Sequence, residues 1–498
     1  MVAQMTSFAQ GLRRILGRMR ALKASAVLVL TLMLGIGCGN PPGSGSGAGG
    51  AVTGTGGRPA LGGDSGVAGT SGLGGGGAGS TGSGGTRVDG SLGCAGAGTV
   101  AGKGTPAAIY AAGDDTCVLF PDWTLACWGD DSAGQLGDCT HTNRSVPATV
   151  PGVRTNYSFS MAAHTMCAVP EPGSGSVACW GPGPPTWVEG TVGALGVAVA
   201  DDHACSYVQP SNLPGQNFCW GENSAGQLGD GTTTSSQVAV GVVGIPSNEN
   251  LFVGPSFNCS ALAVLDTDDL WCWGLNRSGQ LGDGTTTSSA RPEKLTVPSI
   301  RSMAILGQFT LASLTDGGWL CWGTGYCGDG APSTFAHLSP TPVALPGGFG
   351  GPVGGSQGVC AELSDDRSIW CWGSNKYGQV GDGTTTERLT PTRTGFTQLP
   401  YGVFANPDGS SFYALNQYGW LYAWGRNDKG QLGDGTTTDR STPTRVPGPS
   451  NITQLVAGAA HVCVTTFDGA VMCWGANEKG QVGDGTFVNR TSPVTITF

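Results

Sequence analysis

The chain has 498 residues with 89 glycines, only 12% charged residues and a formal net charge of −10. That length admits several ordinary domains or one large repetitive one, and so many glycines with so few charges favour the second. The acidic balance and the lack of a concentrated basic stripe exclude electrostatic nucleic-acid binding. Long alternations of Ala, Leu, Glu and Lys at helical spacing are missing after the first 40 residues, so almost no helix is expected.

Arg13, Arg14, Arg18, Arg20 and Lys23 precede an apolar run, residues 24–36, that is too short to span a bilayer comfortably. Residues 1–37 therefore read as an export signal. The run ends in "LGIGCGN" (34–40), which resembles a bacterial lipobox with Cys38 as the acylated residue, although Leu34 lies one place earlier than that pattern has it. Plain secretion is the alternative. Cleavage before Cys38 leaves 34 acidic and 19 basic groups, a formal charge of −15. Residues 38–105 are mostly Gly, Ser, Thr and Ala, too poor in apolar surface to offset the entropy of ordering, and read as a disordered tether. As a flexible coil of roughly 65 residues it spans on the order of 40–50 Å. Its "GTVAGKGT" (98–105) is a poor phosphate loop, because Gly104 stands where Ser or Thr should follow Lys103.

From residue 106 onward the chain repeats itself. Trp-Gly pairs occur at Trp128, Trp180, Trp220, Trp273, Trp322, Trp372, Trp424 and Trp474, at intervals of 52, 40, 53, 49, 50, 52 and 50 residues. Each copy opens with a small-residue strand such as "LVAGAAHVCV" (455–464), turns at a site such as Asp468-Gly469 and returns through "VMCWG" (471–475). Asp-Gly between apolar strands is a strong hairpin signal. The loop "GQLGDGT" then follows at Gly226, Gly279 and Gly430, with variants at Gly134, Gly378 and Gly480 and a remnant at Cys327, before a Pro-containing strand such as "TPTRV" (442–446). The second copy lacks the loop. Four short strands per fifty residues make a propeller blade, so the fold expected is all-β, a β-propeller of seven or eight four-stranded blades over 106–498. The chain ends in "SPVTITF" (492–498) and starts the repeats with "AIYAAG" (108–113), which suggests that both termini share one blade.

In this order the motifs resemble the regulator of chromosome condensation repeat. That resemblance implies a propeller and, through the founding member, guanine-nucleotide exchange on a small GTPase. A related propeller inhibits β-lactamase, and a plant one senses ultraviolet light through clustered tryptophans. Here the non-repeat Trp271 and Trp370 sit in only two copies.

The cysteines are filled in pairs on the two hairpin strands: Cys117 with Cys127, Cys167 with Cys179, Cys205 with Cys219, Cys259 with Cys272, Cys360 with Cys371 and Cys463 with Cys473. The seventh copy has Tyr413 and Ala423 instead, and joint loss is what a cross-strand disulfide predicts. In the fifth copy Leu311 replaces the first cysteine, and Cys321 can pair with Cys327. Cys139 can pair with Cys94, which leaves Cys38 of the seventeen cysteines for the lipid.

Asp138, Asp230, Asp283, Asp329, Asp382, Asp434 and Asp484 are one group placed seven times, best read as turn formers; calcium binding is the alternative, with too few oxygens per loop. His164, His203 and His461 recur beside the first hairpin cysteine, while His141 and His337 lie in loops. No catalytic, metal or cofactor motif accompanies them, so the chain reads as a non-enzyme, monomeric and without cofactor. The leading reading is a binding scaffold at the outer membrane, cell surface or outside the cell, held to the membrane by its N-terminal lipid, with a protein or surface polymer as partner. Exchange activity, or a surface hydrolase or lyase, is the alternative. Copies two, three and four have the longest hairpin turns, and in the third and fourth Gln209, Pro210, Asn212, Leu213, Asn217, Asp266 and Asp268 are the candidate partner-binding residues.

Overall fold

A computed structural model describes residues 104–498, apart from 156–157, 171–174, 182, 210–214, 247–249, 262–268, 345–346, 348–349 and 364–365. The predicted signal segment, Cys38, Cys94 and the tether up to residue 103 lie outside the described residues.

The described chain forms eight four-stranded antiparallel sheets, each a simple meander, and no helix. The blades cover 108–154, 158–187, 194–241, 250–296, 300–342, 353–393, 400–445 and 452–496. There are therefore eight blades, and the copy without the loop is a full one whose fourth strand has shrunk to Thr186–Trp187. Strands are counted below from first to fourth within each blade.

Two expectations are corrected. The stretch 455–464 is two strands, Ile452–Ala457 and His461–Thr466, because the chain reverses at Gly458, whose N–H is bonded to the His461 carbonyl. The termini also do not share a blade. Ala108–Ala112 pairs with Asp115–Leu119 inside blade 1, and Arg490–Ile496 pairs with Val471–Gly475 inside blade 8. Every repeat already holds four strands in phase, so no strand is left over to exchange.

The ring closes instead by side-by-side packing. Eight buried apolar clusters each join two neighbouring blades, and the last brings Ile109, Val118, Phe120 and Trp128 of blade 1 against Val471, Val482 and Ile496 of blade 8. The Gln454 amide accepts from Ile109 N–H at 2.9 Å and donates to its carbonyl at 3.0 Å, so a blade 8 side chain imitates a strand pairing across the seam. The C-terminal Phe498 packs edge-on to Phe120, with ring centroids 5.4 Å apart.

The repeated tryptophan has the same task at most seams. Trp128, Trp180, Trp273, Trp424 and Trp474 each donate the indole N–H to the backbone carbonyl of the loop glutamine in the preceding blade, at 2.9–3.0 Å. Trp372 uses the Tyr326 carbonyl of the degenerate fifth loop. Trp322 has no acceptor among the described residues. The ring of Trp474 lies so close to Gly433 that a β-carbon there would sit 2.6 Å from its nitrogen, and Gly433 also has φ +72°. Only glycine meets both demands. The loop glycine is thus a packing residue for the next blade.

Candidate functional site: the two rims of the propeller

A meander of four strands puts the first turn and the connection between third and fourth strands, which carries the glutamine loop where there is one, on one rim, and the hairpin turn between second and third strands on the other.

On the loop rim the carboxylates are consumed by structure. In blade 7, Asp434 accepts from the Thr436 N–H at 3.0 Å and hydroxyl at 2.8 Å, and its other oxygen pairs with Arg440 at 2.6 Å. Asp382 with Arg388 and Asp484 with Arg490 repeat this; Asp138 pairs with Arg144. Asp230 and Asp283 keep the threonine bonds, while Ser236 and Ser289 occupy the arginine position. Asp329 lies 3.3 Å from His337. Partial burial raises the carboxyls of Asp382, Asp434 and Asp484, but bonds from threonine and arginine outweigh it and hold them below the ordinary range.

A residue that the sequence reading passed over organises the loop. Asn427 donates to Asp434 and to the Thr436 and Thr438 carbonyls, and its oxygen accepts from Leu432 N–H. Asn223, Asn276, Asn375 and Asn477 do the same in their blades. The signal was available, since an asparagine stands seven places before the aspartate in five copies.

Two of the histidines, His203 and His461, are seam residues as well, whereas His164 at the equivalent position is exposed. His203 bridges Asp202 at 2.6 Å and Asn258 of blade 4 at 2.9 Å. His461 is fully buried at the closing seam, its Nε2 2.8 Å from the Thr116 hydroxyl, which donates onward to the Gln481 carbonyl at 3.0 Å. Thr116 therefore accepts from Nε2–H, and the unprotonated Nδ1 has no partner among the described residues. Burial pushes the His461 pKa down to about 4. The folded protein thus binds fewer protons here than the unfolded chain. Stability from this residue is complete above the ordinary histidine pKa of about 6.5 and is lost, by about 3 kcal/mol, as pH falls to about 4. Asp115 beside it has the opposite sign: burial raises its carboxyl, so its contribution improves as pH falls. Denaturant titrations of wild type and His461→Gln should diverge in slope between pH 6.5 and 4, with the variant flatter. Parallel profiles would refute the assignment.

The described residues contain seven disulfides: 117–127, 167–179, 205–219, 259–272, 321–327, 360–371 and 463–473. Six join directly opposed residues of second and third strands. Cys139 is also disulfide-bonded.

On the turn rim, blades 2, 3 and 4 are consecutive and their turn bases adjoin. Gly193, in the linker between blades 2 and 3, donates to the Gly175 carbonyl of one turn and accepts from Gln209 N–H of the next. Asn217 is buried and donates to Ser260 of blade 4 at 3.3 Å, so this candidate is turned into the frame. Gln209 is exposed, whereas Pro210, Asn212, Leu213, Asp266 and Asp268 lie outside the described residues. Where blade 4's turn returns to the sheet, Asp269 pairs with Lys294 at 2.5 Å. Lys294 and Thr296 line an open polar groove of about 850 Å³ between blades 4 and 5.

Comparison with known proteins agrees with this architecture. Residues 267–312, 366–399, 418–465 and 468–498 match the regulator of chromosome condensation (RCC1) repeat, and 452–481 match a second description of that repeat. The ultraviolet-B receptor UVR8 of Arabidopsis thaliana is 28% identical over 365 residues, covering 67% of this chain and 80% of the receptor. The human E3 ubiquitin-protein ligase HERC2 is 28% identical over 276 residues, 52% of this chain but only 6% of the ligase. Among solved structures, Prp20p of Saccharomyces cerevisiae superposes with a TM-score of 0.54 at 18% identity, covering 76% of this chain and 87% of its own. Human WBSCR16 gives 0.52 at 18%, covering 75% and 94%. Between residues 267 and 498 the chain thus carries regulator of chromosome condensation repeats, within an eight-bladed propeller.

Proposed function

We propose that this propeller is a non-catalytic scaffold, exported and tethered through Cys38 at the outer membrane or cell surface, that captures a protein or surface polymer through the hairpin turns of blades 2, 3 and 4. The observation that carries the reading is the joining of the turn bases of blades 2 and 3 by Gly193, with blade 4 reached through the Asn217–Ser260 bond, which makes one sector of rim out of separate loops on a rigid frame. Seven disulfides support export, since such bonds persist in oxidising compartments. The loop carboxylates support a frame rather than a reaction centre, because the same group is engaged in the same way in blade after blade.

Guanine-nucleotide exchange is the second reading, favoured by the likeness of fold to Prp20p. The disulfides oppose it, because nucleotide switches work in the cytosol. Acceleration of labelled GDP release from a small GTPase by the purified protein would decide for it.

Replacing residues 210–214 by Asp-Gly leaves the bonds of Gln209, Gln216 and Asn217 in place. The variant should keep its melting temperature and bind the partner captured from surface extracts at least about tenfold more weakly. Unchanged affinity would remove the assignment.

A further inference from the structure

The turn rim carries a second feature, on the side of the ring away from blades 2 to 4. Tyr401 and Phe467 are 75% and 85% exposed, unusual for aromatics in a protein whose core tryptophans are fully covered. Leu399, Tyr418 and Trp420 are exposed beside them, and Trp123 stands out from the turn of blade 1.

Those of blades 7 and 8 form one patch. Gln417 N–H bonds the Leu399 carbonyl, which brings the turn of blade 7 against the strand entry that bears Tyr401. Tyr418 and Trp420 have ring centroids 5.7 Å apart. The next turn is reached through Asn451, which is in contact range of Gly419 and whose carbonyl accepts from Phe467 N–H. Cations rim the aromatics. Arg445 lies over Trp420 at 4.2 Å and makes no ion pair among the described residues, while Arg367 of blade 6 donates to the Pro400 carbonyl and is paired with Glu362 at 2.7 Å.

We propose that this face, across blades 7 and 8, docks on a phospholipid bilayer. Two observations favour a lipid surface over other occupants. The composition is that of the membrane interface, where tryptophan and tyrosine sit at headgroup level and arginine meets phosphate. The position is also right, because the chain arrives at the propeller beside the patch: Thr105 is packed so tightly on Gly469, in the turn of blade 8, that a β-carbon on that glycine would lie 2.1 Å from it. A chain anchored upstream of Thr105 reaches the propeller on this rim at the turn of blade 8, four blades round the ring from blade 4. A single anchor combined with a weak interfacial patch holds better than either alone. The inference adds to the anchor proposed above and is tested without it.

The full mature chain with Cys38→Ala, which has no site for acylation, is mixed with vesicles of phosphatidylethanolamine and phosphatidylglycerol at 3:1 and sedimented. The protein should pellet with the vesicles, and Tyr401→Ser with Phe467→Ser should lower the partition coefficient at least about tenfold. Both side chains are exposed, so the double variant should keep the wild-type melting temperature. Phe335→Ser, an exposed aromatic on the opposite rim, should leave partitioning unchanged. Equal pelleting of wild type and double variant overturns the proposal. So does concentration-dependent dimerisation in sedimentation velocity that the double variant abolishes while vesicles capture neither protein, since the occupant is then a second copy. Capture by the turns of blades 2 to 4 is unaffected by these substitutions, which separates failure here from failure of the scaffold reading.

Discussion

Trp128→Ala should destabilise the propeller by about 3–5 kcal/mol, the range for deleting a large buried aromatic. Trp128 is fully buried, donates to the Gln481 carbonyl and packs on Gly483. Its indole crosses the seam between blades 1 and 8, the one seam that no linker spans. Trp424→Ala, at the seam between blades 6 and 7, removes the same indole bond to Gln379 and should cost a similar amount in denaturant. Limited proteolysis should distinguish them. Blade 1 should be clipped first in Trp128→Ala, whereas Trp424→Ala should show no preference for the N-terminal end. Equal cleavage patterns would mean that the closing seam is held by more than the contacts described.

Reduction of the disulfides should be at least as damaging. Six of the seven bonds close loops of 10–14 residues, each expected to contribute about 2–3 kcal/mol by restricting the unfolded chain. Refolding from denaturant with a reductant present should fail, while refolding of the oxidised chain succeeds. Replacing one pair, Cys360→Ala with Cys371→Ala, should lower stability by about 2–3 kcal/mol. Blade 7 gives the internal comparison. Fully buried Tyr413 fills the cysteine position and donates to the Gln431 carbonyl at 3.1 Å, opposite Ala423. If circular dichroism shows native refolding under reducing conditions, hydrophobic seams alone suffice.

The repeat was legible because the tryptophan recurs every fifty residues or so, but the loop missing from the second copy left seven or eight blades open; the cysteine pairs were legible because both members come and go together. What was not legible has a common cause: it depends on which blade a residue faces. Gln481 reads as part of its own loop, yet its carbonyl serves Trp128 and Thr116 some 350 residues earlier. Asn217 reads as the end of a variable turn, yet the alternation of its strand sends it toward Ser260. The turn at Gly458 was hidden because the residues around it are small and apolar on both sides. The exposed aromatics Tyr401 and Phe467 carry no motif. Their exposure becomes visible only once the strands around them are placed.

Because no blade is assembled from the two ends of the chain, the unit of inheritance and the unit of folding coincide. A duplication or deletion of one fifty-residue stretch of gene adds or removes a whole blade and leaves every strand pairing in the others intact. A propeller sealed by an exchanged strand would have its closing blade split by such an event at either end. Here the junction is held by the same kind of side-by-side packing as the other seams, with side-chain contacts added, so the ring can change its number without first inventing a new way to close.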